Sequence, residues 1–392
     1  MPHRPRHILL LVSTEFSYGR DVVMGVMNYA QASQQAWILR QFAPDGPSLR
    51  AARQWKPHGI IGHLHDPAVS RSVRGMKLPT VDFSSRLHVA DIAHVRVDDR
   101  AIGGEGARYF LDRGFTHFGF AGFPNVPFSE ARQQGFLDQL HEAGQQGQVF
   151  HYSPQHIHAP TNLYWTRELR RLGHWLKRLP KPVAILAAND RTGVELTDAC
   201  RGGGMAVPDD VAIVVVNNDD LLCQIADPPL SSIISPMDEV GYEAARILAR
   251  MLEGEAPPDQ PLLLQPRGVV TRKSSDVLAA DDPVVASALR FMHRCAEQPI
   301  NVEDVLEHVH VSRSLLERKF RAAIGRTPLA ELRRLRLQRA RVLLTDTNLP
   351  MPTIATRCGF SSAVRFSTVF RQLTGQTPTA CRAESQRLRR SR

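Results

Sequence analysis

Cysteine is scarce in this chain. Five occur in 392 residues (Cys200, Cys223, Cys295, Cys358 and Cys381), and no two form a C-x-x-C pair. That usage excludes a disulfide framework and a zinc finger, and it predicts a reducing cytoplasm. Long apolar runs are missing as well: nothing approaches the roughly 20 residues that span a bilayer. The basic residues 1–6 lead into an apolar run over 8–12 that Ser13-Thr14-Glu15 cuts short. The run is too brief for a signal peptide and lacks a small-residue cleavage site, so it predicts a buried first strand.

The short motifs of several enzyme classes are absent too. Ile102-Gly103-Gly104-Glu105-Gly106 is not G-x-G-x-x-G, and it falls inside a predicted helix. Gly202-Gly203-Gly204 is followed by no Gly-Lys-Ser/Thr and reads as a helix stop. There is no G-x-S-x-G elbow. His151, His156 and His158 lack the paired spacing of a metal site. The sequence predicts no catalytic residues, no metal and no cofactor.

What the chain does have is the composition of a folded protein: 43% hydrophobic, 22% charged, 26 Gly and 27 Pro. Disordered, collagen-like and coiled-coil chains are thereby excluded. At about 150 residues per domain, 392 residues predict two or three domains. The formal charge of +10 is unevenly held. Residues 281–392 carry 20 Lys+Arg against 10 Asp+Glu, which leaves 29 of each sign for the rest. The whole excess lies in those last 112 residues, and 19 of the 20 cations are Arg, Lys319 being the other. Arg presents a planar fork of donors that fits phosphate and the guanine edge. A neutral body with a basic C-terminal region points to a polyanion read by that region; the plainer alternative is a basic surface kept for solubility.

From residue 7 the chain alternates short apolar runs with longer amphipathic ones. Strands are predicted at 8–12, 37–42, 59–64, 79–83, 94–97, 117–121, 183–187 and 211–216, and helices at 20–32, 99–112, 129–143 and 190–201. Nearly continuous Val/Ile/Leu strands separated by helices indicate parallel sheets covered on both faces. Ligands in such folds sit beyond the carboxyl ends of the strands.

Several phrases resemble a known family. Val95-Arg96-Val97-Asp98-Asp99, Tyr109-Phe110-Leu111-x-x-Gly114 and Phe118-Gly119-Phe120-Ala121-Gly122 are similar to the middle of the LacI/GalR-type effector domain. Arg132-x-x-Gly135-Phe136, Ala184-Ile185-Leu186-Ala187-Ala188-Asn189-Asp190, Pro208-Asp209-Asp210-Val211 and Pro228-Pro229-Leu230-Ser231 match its later blocks in order, over residues 7–270. The resemblance implies a two-lobed, periplasmic-binding-protein-like α/β fold that closes on a small sugar-like effector. A ring of hydroxyls calls for carboxylates, amides and Arg forks, with an aromatic against the apolar ring face. Tyr18, Arg20, Asp98, Arg132, Asp190 and Asn217 stand at strand ends and form the predicted effector set. By resemblance, Arg132 and Asp190 fall on sugar-contacting positions. Asn217 stands where such proteins often carry Asp, and a neutral amide would change the preferred sugar. Plainer readings sit beside these: Asp98 and Asp190 as helix N-caps, Arg20 as a solvated helix start, Tyr18 as packing.

The C-terminal region reads as all-α, with helices at 283–296, 302–308, 312–324, 329–344, 353–358 and 363–373. The second and third, joined at His310-Val311-Ser312, form a helix-turn-helix whose second member enters the major groove. Ser312, Arg313, Ser314, Glu317, Arg318 and Arg321 are its predicted DNA-contacting residues. The pattern then returns around Gly359-Phe360, with Ser361, Ser362, Ala363, Arg365, Thr368 and Arg371 as the second reading set. Gly375-x-x-Pro378 repeats Gly325-x-x-Pro328, and Phe360, Phe366 and Phe370 are expected in the core. The Arg run from 333 to 341 reads as part phosphate contact, part solvated face. A linking helix of about 16 residues spans near 24 Å and would set the two recognition helices about one DNA turn apart. Ile354-Ala355-x-x-x-Gly359-Phe360-x-Ser362-x-x-x-Phe366-Ser367-x-x-Phe370-x-x-x-x-Gly375-x-x-Pro378 resembles the AraC/XylS-type DNA-binding domain.

The combination resembles the xylose-operon regulators. It implies an effector domain at 6–275, a linker at 276–283, a DNA-binding domain at 284–383 and a basic tail at 384–392. The expected function is a sugar-responsive transcription regulator, with D-xylose or a related sugar as effector. Its partners would be double-stranded DNA, a second copy of the chain and RNA polymerase, in the cytoplasm at the nucleoid, with no membrane. Two alternatives stand beside it: a constitutive DNA binder whose effector site is lost, and a sugar-processing enzyme with a basic tail.

Overall fold

The computed structural model describes residues 5–84, 91–153, 163–277, 282–295, 298, 300–347 and 349–383. The linker residues 278–281, the tail 384–392 and two of the loop histidines, His156 and His158, lie outside them. The chain divides into two compact units, with the boundary between Asp276 and Val277.

The described residues of the first unit form twelve strands. They are β1 (Arg6–Leu11), β2 (Trp37–Phe42), β3 (Gly59–Gly62), β4 (Thr80–Asp82), β5 (Ala93–Val97), β6 (Phe118–Gly122), β7 (Gly147–His151), β8 (Val183–Ala187), β9 (Val211–Val216), β10 (Ser231–Ile233), β11 (Leu262–Leu264) and β12 (Val269–Val270). They form two six-stranded sheets, ordered β11-β5-β4-β3-β1-β2 and β12-β10-β9-β8-β6-β7. Every pairing is parallel except that of β12 with β10. Strands β8 and β9 are buried along their whole length, as parallel strands covered on both faces must be.

The helices of this unit are α1 (Ser17–Ala32), α2 (Gly46–Gln54), α3 (Pro67–Arg74), α4 (Asp99–Leu111), α5 (Pro127–Glu142), α6 (Leu163–Arg178), α7 (Asp190–Gly203), α8 (Asp220–Ile225) and α9 (Met237–Leu252). As the triple glycine predicts, α7 ends there, with Gly204 at φ +70°. The largest helix contacts repeat in the two lobes: α1 lies on α9, and α4 on α5. Each crossing is closed by one glycine from each helix. A Cβ on Gly25 would stand 1.9 Å from the Asp238 carbonyl oxygen, and one on Gly241 2.1 Å from that of Val22. In the second lobe Gly103 and Gly135 would meet the Arg132 and Arg100 carbonyls at 2.0 and 1.9 Å. Gly103 therefore serves helix packing, which explains a glycine-rich run inside a helix.

The chain passes between the lobes three times: after β5, after β10 and between β11 and β12. These strands are tied to one another. Asp98 N–H donates to the Leu264 carbonyl at 2.8 Å, Arg267 N–H to Ile234 at 3.0 Å, and Ile234 N–H to Gly268 at 2.9 Å.

The second unit holds α10 (Pro283–Arg294), α11 (Val302–Val309), α12 (Arg313–Ile324), α13 (Pro328–Asp346), α14 (Met351–Arg357) and α15 (Ala363–Thr374). It has two hydrophobic clusters. One gathers Leu289, Met292, Val305, Leu316, Phe320 and Leu332, the other Leu344, Ile354, Phe366 and Phe370. The second half repeats the first at an offset of 50 residues. Ser312 and Ser362 cap α12 and α15, accepting from Leu315 and Arg365 N–H. Gly325 and Gly375, both left-handed, end these helices, and Phe320 and Phe370 are buried in them. Arg336 on α13 joins the halves: it donates to the Ile300 carbonyl on one side and lies 5.7 Å over the Phe360 ring on the other.

Candidate functional site

Between the lobes of the first unit lies a cleft of about 480 Å³. Its polar floor comes from strand ends of the second lobe, where the carboxyl ends of β6, β8 and β9 converge. Arg132, near the start of α5, is buried; its Nε donates to Asp99 Oδ1 at 2.8 Å and its Nη1 to the Ala188 carbonyl at 2.6 Å. The guanidinium lies 5.0 Å over the Phe128 ring. Asp190 opens α7, but the cap of that helix is Asn189, which shares a capping box with Thr192. Asp190 is therefore free of the capping role and is fully buried at the cleft floor. Its carboxylate accepts from Asp219 N–H at 3.1 Å, Ser232 Oγ at 3.2 Å and the Cys223 thiol at 3.4 Å. Burial pushes its pKa up to about 7, against the pull of these donors.

Asn217 follows β9 at φ +102° and Asn218 at φ +58°. Both are left-handed positions, where Asn is tolerated better than β-branched or bulky residues. The Asn217 side-chain oxygen accepts from Ser235 Oγ at 3.1 Å, which leaves its NH2 group as the end free to meet a ligand. On the opposite lobe, Tyr18 belongs to an aromatic wall. It stacks on Phe16 with centroids 5.8 Å apart and is tilted 5.6 Å from His63, which in turn stacks on Phe83. Burial raises the Tyr18 pKa, with Glu15 adding to it.

Four of the six predicted effector residues (Tyr18, Arg132, Asp190 and Asn217) line this cleft. Asp98 and Arg20 do not line it. Asp98 caps α4 through Ala101 N–H at 2.9 Å, and its other oxygen accepts from Gln265 at 3.1 Å, so it staples two inter-lobe strands. Its neighbour Asp99 takes the place in the cleft. Arg20 is half-exposed at the rim and donates to the Thr14 and Glu15 carbonyls. Its other terminal nitrogen lies 3.6 Å from Asp219 of the second lobe.

Sequence reasoning missed Asp219, His63, His65 and Glu195, all of which line the cleft. His63-x-His65 follows β3 directly, and the rule of strand carboxyl ends would have found it. Asp219 is the more informative omission. Its Oδ1 caps α8 through Leu221 and Leu222 N–H, while its Oδ2 accepts Ser17 N–H from the first lobe at 3.2 Å. One carboxylate thus closes a helix and clasps the lobes.

In the second unit the predicted reading residues fall on two exposed helix faces. Arg318, Arg321, Arg365 and Arg371 are exposed, and their side chains make no hydrogen bond or ion pair among the described residues. Arg313 pairs with Glu303 of α11. Ser314, Ser361 and Thr368 are exposed, and Ala363 and Glu317 are half-buried. Two members of the Arg run on α13, Arg334 and Arg336, are engaged within the protein. Glu331 is wholly buried and held by Arg326 at 2.7 Å and Arg334 at 2.8 Å, while Arg336 is the link between the two halves. Of this run, Arg333 is the exposed member among the described side chains.

Three families match along the chain: an XylR N-terminal domain over residues 7–94, a periplasmic binding protein-like domain over 107–275 and a helix-turn-helix domain over 305–384. Among curated relatives, the xylose operon regulatory protein of Escherichia coli K12 is 29% identical over 381 residues, covering 95% of this chain and 96% of that protein. Its namesake from Haemophilus influenzae is 28% identical over 380 residues, with the same coverage. Among solved structures, that of the xylose-binding transcription activator XylR superposes with a TM-score of 0.73 at 28% identity, covering 98% of this chain and 99% of the other. The first unit also shares its fold with the regulator CelR bound to cellobiose, at a TM-score of 0.56 and 20% identity.

Proposed function

Because the chain belongs with the XylR-type regulators, whose N-terminal, periplasmic-binding-like and helix-turn-helix domains it carries in order, we propose that it is a transcription regulator that binds a sugar between its lobes and reads double-stranded DNA with two helix-turn-helix units. The observation that carries this is one chain holding both halves of the chemistry. The cleft sets a buried Arg132–Asp99 pair and Asp190 against the Tyr18 side of an aromatic wall, which suits a ring of hydroxyls with an apolar face. The second unit offers four exposed arginines on two capped helices, which suits phosphates and base edges.

The solved relative is described as xylose-binding, so D-xylose is the first effector to try. In this reading Asp99, Arg132, Asp190 and Asn217 hold the sugar hydroxyls, and Tyr18 packs on the ring. Asn217 adds an N–H donor where an acid would add an acceptor, so the preferred sugar is one with an acceptor oxygen at that place. The sugar bridges the lobes, and the strands stapled at Asp98, Gln265 and Arg267 flex as they close; closure shifts the population of DNA-binding states. The cleft acids are engaged by protein partners rather than poised as a catalytic pair, and this supports a binding site over an enzyme. No helix among the described residues is long and apolar enough to cross a membrane. Pairing of two chains through the N-terminal lobes, contact with RNA polymerase and a cytoplasmic place at the nucleoid belong to the same reading.

Thermal unfolding against a panel of pentoses and hexoses tests the sensor. A saturating sugar at 100 times its Kd should add about 2.7 kcal/mol. No shift with any sugar, alongside intact DNA binding, overturns the effector half. DNA footprinting at several salt concentrations tests the other half: a chain lacking residues 277–392 must lose its footprint, and a retained one overturns the assignment.

A further inference from the structure

The two recognition helices superimpose in sequence at an offset of 50, and this makes their differences readable position by position. The caps, the buried pair Phe320 and Phe370 and the terminal glycines agree, while Phe366 matches another buried apolar residue, Leu316. The outward first turns do not. On α12 the first two residues are Arg313 and Ser314; on α15 they are Ala363 and Val364. The partner that holds Arg313 is replaced in step: Glu303 of α11 corresponds to Thr353 of α14. A charged, buttressed pair in one unit has thus become a small neutral pair in the other.

Val364 is 77% exposed, the highest value among the exposed large hydrophobic residues of the described chain. It lies on the same face as Arg365, Thr368 and Arg371, the face turned away from buried Phe366 and Phe370. Thr368, one turn on, spends its hydroxyl proton on the Val364 carbonyl at 3.0 Å. An isolated valine on a helix surface gains nothing for the folded chain. On a helix laid in the major groove it meets the one apolar group that base edges present there, the 5-methyl of thymine.

Resting on the proposed DNA reading, we infer that the α15 half-site contains a thymine whose methyl group packs against Val364, and that the α12 half-site has no counterpart. The operator is then two chemically unlike half-sites. One is read through Ser314 and the exposed Arg318 and Arg321 of α12, by charge and hydrogen bonds. The other is read through Val364 by apolar contact, with Arg365 beside it.

The test begins by selecting, with the full-length protein, its preferred duplex from a random-sequence pool. Each thymine is then replaced singly by deoxyuridine, which deletes only the methyl group, and affinity is measured by fluorescence anisotropy. One position should weaken wild-type binding about fourfold, the worth of one buried methyl group. That penalty should vanish in Val364→Ser and persist in Val364→Thr, which keeps a methyl. Matching melting curves for the three proteins exclude a folding effect. If a sequence is selected but no deoxyuridine penalty depends on residue 364, the inference is overturned while the DNA reading stands. If no sequence is preferred at all, both fall together.

Discussion

The two units treat their arginines in opposite ways. In the first, cations meet acids: Arg100 with Asp138, Arg132 with Asp99, Arg171 with Glu168, Arg246 with Glu243 and Arg267 with Asp238 and Glu239. In the second, Arg313 is paired with Glu303 and Arg326 and Arg334 with Glu331 for structural ends, and the recognition helices leave Arg318, Arg321, Arg365 and Arg371 facing solvent. A paired arginine has its donors committed and its charge cancelled. An exposed unpaired one keeps both for a phosphate or a guanine. The net charge of +10 is therefore a placement as much as a number.

That contrast can be broken at its most buried pair. Arg132→Ala takes from buried Asp99 the guanidinium hydrogen-bonded to it, and should cost about 3–5 kcal/mol in denaturant unfolding as well as abolishing the sugar-induced shift. A loss under 1 kcal/mol would mean that water reaches Asp99. Asp190 gives the next largest effect, as a pH dependence. Its folded pKa of about 7 lies above the ordinary carboxyl value, so the native state binds the extra proton. The stability this confers is full below about pH 4 and is lost as pH rises toward 7, by roughly 1 kcal/mol per unit across that window. Asp190→Asn should flatten this part of the Tm–pH curve, and an unchanged slope would locate the titration elsewhere.

Glu331→Ala sharpens the comparison from the other unit. It strands Arg326 and Arg334, but both are about one-third exposed and can hydrate. The expected cost is about 1–2 kcal/mol, less than for Arg132, in the same unfolding assay. The smallest effect on stability should come from Arg318→Ala and Arg371→Ala, within about 0.5 kcal/mol. Each should nonetheless reduce the slope of log affinity against log salt by about 0.9 if it touches a phosphate. An unaltered slope together with altered sequence preference would make it a base reader instead.

Much of the architecture was legible because it rests on local rules. Continuous Val and Ile runs announced buried parallel strands, and the repeated Gly-x-x-Pro marked the ends of the recognition helices. Elements that alternate weakly or lie on an edge, such as β7, β11 and β12, carry too little pattern to be read singly. The cleft was legible in its strand-end residues Tyr18, Arg132, Asp190 and Asn217. At Asp98 the helix-cap reading is the one the structure shows, since Asp98 and Asp99 are adjacent acids at a helix start and only the turn of α4 decides which caps and which faces inward.

By itself, the sequence determined the two kinds of domain, the internal duplication at an offset of 50 and the division of charge, because periodicity, turn residues and composition act over short spans of chain. Tertiary structure decided which charges are free. Asp219 clasps Ser17 across some 200 residues of sequence, Glu331 engages Arg326 and Arg334, and Arg336 lies between Ile300 and Phe360. A side chain's partner is set by distance in space, and an arginine reads the same in sequence whether it meets a carboxylate, a carbonyl or water.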